Sequence, residues 1–491
     1  MKNIFYKLIF ATLLILVTIS CSKDFLEESP TQVINEADWA ASGAKDPAIL
    51  AGTLNGIYYL TFDTGTGGTT DHTDFGQKGY DIYSDMLCGD MALSVNTYGW
   101  YGDFTQYQNT TDYTDNDNYK PWRYYYRIIR STNLLIKVLG GNDAVPEGEN
   151  AYNFAQAKAM RAYSYFYLTQ YFIKEYKPAS KVLPIYTDPD VPNQPQSETS
   201  EVYDLMISDL TQAITLLDGF DRSAKYQINQ DVAKALLAYV YASMNTSATN
   251  LLAKDLAEDV IGNFPLTSYD EATGGFNTVN TPSWMWGVDI SVDQGLDLVS
   301  WWGQMDIFTY SYAWAGDAKA IDQNLYNSIG ANDVRKSQFY PWGGYYYLMP
   351  WKKFFNDGRD IGGQRTVTDD YLYMRVDEMY LLSAEMSAKE GIDVDAHNRI
   401  KDLLSKRFEN ATDYAYIDGL SGQNLIDEVY LQTRIELWGE GKSYLAMKRN
   451  KATINRGDNH LSFVGVAVPY NDDRLTWEIP QSEIQNNPFI N

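Results

Sequence analysis

Apolar residues recur at helical spacing over much of this chain, and the recurrence marks out a series of amphipathic helices. Leu50, Leu54, Ile57 and Tyr58 define a first helix over Ala48 to Phe62. Another runs from Pro121 to Leu139, where Gly140 and Gly141 stop it. Glu149 to Phe172 carries Phe154, Ala155, Ala159, Ala162, Phe166 and Leu168 along one face, and its alanine spine lets a partner helix come close. Val202, Leu205, Met206, Leu210, Ala213 and Leu217 stripe Glu201 to Leu217, with Ser200 as the N-cap. Asp231 to Met244 follows behind Asn229 in the same capping role, and Leu251 to Ile261 comes soon after. Helical spacing returns at Tyr371 to Lys389, Asp395 to Phe408 and Asn424 to Met447. Stripes of this kind, joined by short or inserted connections, predict antiparallel helix pairs.

The pairs are similar to tetratricopeptide hairpins, although no steady repeat of about 34 residues can be read. The Pro-containing connection Lys177 to Gln196 breaks any register. Elsewhere the helical pattern lapses. Residues 63–74 are mostly Gly, Thr and Asp, a loop. Tyr80 to Asp117 is rich in Gly, Asn, Asp and aromatics and reads as a long surface excursion. Ser283 to Ile290 alternates as a buried strand does, with Trp284 and Trp286 in the core. Asp297 to Trp314 has no clear period, Tyr340 to Phe355 is aromatic and hairpin-like, and Leu475 to Asn491 is extended. The expected fold is therefore mainly α, a helix-pair scaffold interleaved with an irregular, loop-rich half that holds a few short strands.

The amino terminus changes the picture from a generic helical protein to an exported one. Lys2 and Lys7 precede an apolar run from Leu8 to Ile19, too short to span a bilayer comfortably, and Ser20 precedes Cys21. Residues 1–20 read as a secretory signal of the lipoprotein kind, cut before a Cys21 that is then acylated. Residues 21–491 form one body, with 21–47 as its tether. A formal charge of −25 argues against nucleic acid, whose recognition rests on lysine and arginine, and against a polybasic membrane patch. His72, His397 and His460 are widely spread and Cys88 would be the one cysteine left, so no metal site is expected. The acidic run Asp112 to Asp117 lacks the Gly and closing Glu of an EF-hand, so calcium has no motif behind it and no cofactor is expected. Motifs for nucleophilic, zinc-dependent, phosphate-binding or dinucleotide-dependent catalysis are absent from the sequence.

Several stretches together resemble the SusD/RagB family of outer-membrane nutrient-binding lipoproteins. Cys21-Ser22-Lys23-Asp24-Phe25-Leu26-Glu27-Glu28-Ser29-Pro30 is similar to the family's start, and Asn55-Gly56-Ile57-Tyr58 to its early helix. Ala157 to Phe166, Ala233 to Ala238 and Arg375 to Glu385 resemble three recurrent helices. Arg434 to Lys442 and Ile479-Pro480-Gln481-Ser482-Glu483-Ile484 resemble the closing pair, within a carboxy-terminal region over 370–491. After Gly441 this chain departs from the family, reading Tyr444-Leu445-Ala446-Met447-Lys448-Arg449 where an Asp usually precedes the basic pair. The resemblance implies a tetratricopeptide-like scaffold with an irregular ligand-binding half. It also implies an outer-membrane, lipid-anchored, surface-exposed location, and a SusC-like TonB-dependent transporter as partner.

The shared motifs read as scaffold, with Arg161, Tyr163, Glu378, Glu385, Arg434 and Glu440 in buried pairs. A glycan binder needs flat aromatic faces with polar rims, because sugar C–H faces pack on Trp and Tyr while hydroxyls exchange hydrogen bonds. Two loop-like stretches, near 80–117 and 284–355, supply them. The first offers Tyr98, Trp100 and Tyr101; the second offers Trp301, Trp302, Tyr312 and Trp314, with Tyr310 between and Tyr345 to Tyr347 undecided between site and core. The expected activity is capture of oligosaccharides without chemistry. The alternatives are a peptide-binding member of the same family, a surface glycoside hydrolase, and a helical scaffold that binds only protein.

Overall fold

The computed structural model describes residues 36–355 and 358–490. The signal, Cys21 and the first part of the tether lie outside them. In chain order, α1 (Glu36–Lys45), α2 (Pro47–Tyr59), α3 (Gln77–Leu87), β1 (Met91–Leu93) and α4 (Gln108–Thr111) come first. A run of longer helices follows: α5 (Asn116–Val138), α6 (Glu149–Phe172), α7 (Thr199–Leu216), α8 (Gln230–Met244) and α9 (Ser247–Ile261). Between α6 and α7 sit β2 (Lys181–Pro184) and β3 (Gln196–Glu198). Residues 262–375 hold β4 (Trp284–Val288), α10 (Trp301–Met305), α11 (Tyr312–Ala315), β5 (Lys319–Ile321), α12 (Gln323–Ser328) and β6 (Tyr371–Arg375). Helices return as α13 (Val376–Lys389), α14 (Asp393–Leu404), α15 (Gly422–Glu436) and α16 (Ser443–Arg449). The described chain ends through β7 (Thr453–Asn455), β8 (Ala467–Pro469) and α17 (Gln481–Asn486).

Each long helix packs on the next, α5 on α6 and so on to α9. α13 then packs on α9, so the stack continues across the inserted residues 262–375, and α14 and α15 pack on α13. Amphipathic helices that each bury one stripe reach this arrangement because neighbours on both sides cover what a single pair would leave exposed. The strands make four antiparallel two-stranded ribbons, β1–β5, β2–β3, β4–β6 and β7–β8. Among the described residues no helix is long and apolar enough to cross a membrane.

Several boundaries differ from the sequence expectation. The tether is helical from Glu36. The supposed surface excursion begins with α3, every residue of which is buried. Without a solvent face it has no polar stripe, and its polar side chains are paired inside: Lys78 with Asp81 at 2.8 Å, and Gln77 with Asp81 and the Tyr125 hydroxyl at 2.9 and 2.8 Å. Helix α5 starts before Pro121, capped by the Asp115 carboxylate on Asp117 N–H at 2.6 Å. Residues 371–375 are strand, not helix, paired with β4 and buried on both faces. The helix expected over 424–447 is broken at Gly439 and Gly441, whose φ values are +79° and +73°. A Cβ at Gly441 would lie 2.4 Å from the Asp81 carboxylate, so only glycine lets this turn close against α3. The end is not wholly extended, since α17 falls within it.

The signature charges are paired, as charges in an interior must be, and all but the half-buried Arg434 are buried. Arg161 grips Asp209 with two bonds of 2.7 and 2.8 Å. Glu440 takes Arg375 twice at 2.9 Å, and Glu436 takes both Arg375 and Arg407 at 2.7 Å. Glu385 holds Arg449 and Lys389, Arg434 holds Asp90, and Glu378 accepts from the Tyr239 hydroxyl at 2.7 Å. The Tyr163 hydroxyl donates to Gln77. Trp284 and Trp286 lie in the core on β4.

Candidate ligand-binding site

Backbone pairing unites the two aromatic stretches. In the β1–β5 ribbon, Met91 faces Ile321 and Leu93 faces Lys319. The ladder runs on past the strand ends, with Ser94 N–H to Ala318 O at 2.8 Å and Thr97 N–H to Gly316 O at 3.1 Å. The buried Asp317 carboxylate then accepts from Thr97 and Tyr98 N–H at 2.8 Å each. This register sets the 98–101 turn beside α11, whose first turn is capped by Ser311 on Trp314 N–H at 3.0 Å.

An aromatic platform results. The His72 ring stacks on Trp100 with centroids 4.9 Å apart and planes 8° from parallel, and its Nδ1 is 2.5 Å from the Tyr312 hydroxyl. Tyr312 meets Trp100 edge-on at 6.1 Å and Tyr98 at 5.4 Å. Beside them Trp314 packs with Tyr310 at 5.6 Å, and the Arg365 guanidinium lies 4.1 Å over the Tyr310 ring. The Tyr345 hydroxyl donates to Ala313 O at 2.6 Å, which draws in the loop bearing Trp342. Tyr98 is 54% exposed and Trp342 59%, so these rings face solvent, while Trp100, Tyr312 and Trp314 are half-buried. Rings fixed in this way offer stacking area at small entropic cost.

Three of the seven expected residues are not on the platform. Tyr101, Trp301 and Trp302 are each 2% exposed and belong to the core. Tyr101 has φ +66°, a turn that sends its ring inward from Trp100, against Tyr83 at 5.5 Å and under the Lys319 ammonium at 4.9 Å. α10 is a single turn capped by Ser300 on Gly303 N–H at 2.9 Å, and both its indoles sink into a hydrophobic cluster. Trp301 packs on Trp302 and on Phe354, each at 4.8 Å, and Trp302 on Phe355 at 5.8 Å. His72 and Arg365 carried no sequence signal. Tyr345, undecided in sequence, braces the platform.

Beneath the rings lies a polar support. Gln304 donates to His72 O at 2.9 Å and accepts from Lys319 Nζ at 3.1 Å. Burial pulls the Lys319 ammonium down to about 8, against the raising influence of Asp317. Burial likewise pushes Asp306 up to about 6, only partly offset by Arg359 at 2.8 Å and by Phe308 N–H at 2.7 Å. The buried Asp306 and Asp317 carboxylates are thus committed to protein donors. Among the described residues no group of three or more His, Cys, Asp or Glu side chains is placed to hold a metal ion. Lys120 instead occupies the centre of the acidic stretch, 2.8 Å from Asp71 and bonded to Asp117.

A stack of antiparallel helices that carries an inserted aromatic platform defines a helical-repeat binding protein. A SusD-like family described as starch-binding and associating with the outer membrane matches residues 67–242, and the SusD/RagB model matches residues 300–491. The chain belongs to the SusD family. It is similar to a SusD superfamily protein from Bacteroides thetaiotaomicron, at 26% identity and TM-score 0.72, covering 90% of this chain and 98% of that one. A SusD-like carbohydrate-binding protein from Bacteroides vulgatus superimposes with TM-score 0.75 at 23% identity, covering 90% and 96%. Surface glycan-binding protein A from Bacteroides uniformis shares the fold at TM-score 0.63 and 18% identity, covering 90% and 98%. No curated protein matches the chain.

Proposed function

We propose that this protein is a non-enzymatic, cell-surface lipoprotein that captures oligosaccharides and passes them to a SusC-like TonB-dependent transporter of the outer membrane. The observation that carries the reading is the exposed platform of Tyr98, Trp100, Tyr312 and Trp314, assembled from two remote segments on a buried polar support. Sugar rings stack on these faces, and Arg365 with the His72–Tyr312 pair supplies the polar rim. Acylation at Cys21 ties the body to the membrane and keeps it near its transporter at high effective concentration.

Calorimetry of the mature chain against plant, host and microbial glycans tests capture. Binding to at least one glycan, lost in Trp100→Ala and Tyr312→Ala, is expected. Binding of peptides but of no glycan overturns the sugar assignment, and new reducing ends released from a polysaccharide overturn the non-enzymatic one. Cys21→Ala is expected to release the protein from the membrane fraction.

A further inference from the structure

The scaffold carries a second concavity that the platform does not use. A groove of about 550 Å³ runs between α5, residues 186–193 and α17. Arg123, Arg127 and Arg130 form one wall. Their spacing of four and three aligns them on one helix face over about 10 Å. All three are exposed, and among the described residues none has a carboxylate partner. Arg123 donates to the Tyr119 hydroxyl and Arg130 to Pro189 O, each at 3.2 Å, and among the described residues the Arg127 guanidinium makes no hydrogen bond. Arg161, Arg335, Arg375, Arg399, Arg407 and Arg449 each hold a carboxylate, so a row of three guanidiniums without one stands out in a chain of charge −25.

The floor is aromatic. Tyr126 and Tyr186 meet edge to face at 5.8 Å. Their hydroxyls are tied to backbone, Tyr126 donating to Pro184 O at 2.9 Å and Tyr186 accepting from Gln194 N–H at 3.3 Å. Two acids also line the groove, and both are engaged. Glu483 accepts from Trp122 Nε1 at 3.3 Å and Asn487 Nδ2 at 2.8 Å, while Asp188 accepts from Asp190 N–H at 2.9 Å.

We infer that this groove is a second carbohydrate subsite, selective for oligosaccharides that carry carboxylates at successive sugars, the uronates. Guanidinium forks bind carboxylates in bidentate fashion, and a row of them suits a ligand with charge repeated along an extended chain. The tyrosine floor takes the sugar C–H faces as the platform does. The inference rests on the reading of the chain as a glycan binder and adds a ligand class and a separate site to it.

The test titrates the mature chain, its Arg127→Gln/Arg130→Gln double variant and its Trp100→Ala/Tyr312→Ala double variant with tetragalacturonate, at two salt concentrations. The parent is expected to bind, more weakly at higher salt. The arginine variant should lose about tenfold or more in affinity with an unchanged thermal midpoint, and the platform variant less than about twofold. Absence of binding by the parent, or affinity undiminished in the arginine variant, overturns the subsite. So does arginine-dependent binding of inorganic phosphate or anionic phospholipid vesicles in place of the uronate. Failure of the platform reading shows separately, as neutral-glycan binding that survives Trp100→Ala.

Discussion

The helical stack and the inserted half solve opposite problems with the same kinds of residue. In the stack, charges are buried and answered: Arg161 grips Asp209, Arg449 and Lys389 hold Glu385, and Glu436 takes Arg407 at 2.7 Å together with Arg375 and Arg335 from the inserted half at 2.7 and 3.1 Å. In both regions some buried polar groups go unanswered among the described residues. In the stack they include the Tyr124 and Ser387 hydroxyls; in the inserted half they include the indole N–H groups of Trp301 and Trp302 and one oxygen of Asp317. What that half gains is a set of rings turned to solvent on a rigid base. The family-like motifs mark the first region because a buried ion network constrains residue identity. A platform needs only flat faces, and Tyr, Trp and His are interchangeable enough that no motif arises.

The strongest way to break this contrast is to remove the hub of the network. Glu436→Gln leaves three buried guanidiniums short of charge and is expected to cost about 3–5 kcal/mol in denaturant unfolding. A loss below about 1 kcal/mol would mean that the remaining acids, Asp333, Asp377 and Glu440, carry the arginines alone. Within the inserted half, Trp302→Ala removes a core side chain and should cost about 3–5 kcal/mol. Trp100→Ala removes the stacking on His72 and the edge-on contact with Tyr312, and should cost about 1 kcal/mol while abolishing glycan affinity. Equal stability losses in the two variants would erase the distinction between buried and presented tryptophans.

Acid distinguishes two buried carboxyls by sign. Burial alone would raise the Glu385 carboxyl, but Arg449 and Lys389 outweigh it and hold it at about 2. Its ionisation therefore stabilises the fold fully above about 4.5 and loses that contribution as pH falls through about 2, a change of about 3 kcal/mol. Asp306 runs the other way: a folded value of about 6, above that of the unfolded chain, makes the fold gain stability as pH falls from about 6 towards 4. Stability of Glu385→Gln and Asp306→Asn across pH 2–7 should lose the first slope and the second respectively. A Glu385→Gln variant that keeps the acid limb of the parent contradicts the pairing.

How far each region was readable from sequence follows the same division. Helices with one wet face declared themselves: Glu149 to Phe172 matched α6 at both ends, and Asp231 to Met244 matched α8 to within a residue. Fully buried segments did not, because α3 and β6 have no polar stripe to set a period. At the site, Tyr98, Trp100, Tyr312 and Trp314 were visible as aromatics in Gly- and Ser-rich turns. Trp301 and Trp302 gave the same signal and proved to be core, since a single capped turn decides which way an indole points. His72 joins the platform through Gln304 on its carbonyl and Tyr312 and Trp100 on its ring, contacts between remote segments that no local pattern encodes.

The smallest expected effect tests the scaffold's own helix starts. Asn229 and Ser200 were equal as cap residues in sequence, but the fold treats them differently. Asn229 Oδ1 accepts from Val232 N–H at 3.0 Å at the start of α8. Ser200 lies inside the first turn of α7, whose start is held instead by the Glu201 carboxylate on Glu198 N–H at 2.7 Å. The Ser200 N–H itself donates to Pro178 O at 3.0 Å, a backbone bond that any residue but proline can make. Asn229→Ala should thus cost about 1 kcal/mol and Ser200→Ala less than about 0.5 kcal/mol. Denaturant midpoints in the reverse order would show that the side chain at the sequence-expected cap, and not the Glu198–Glu201 pair, starts this helix.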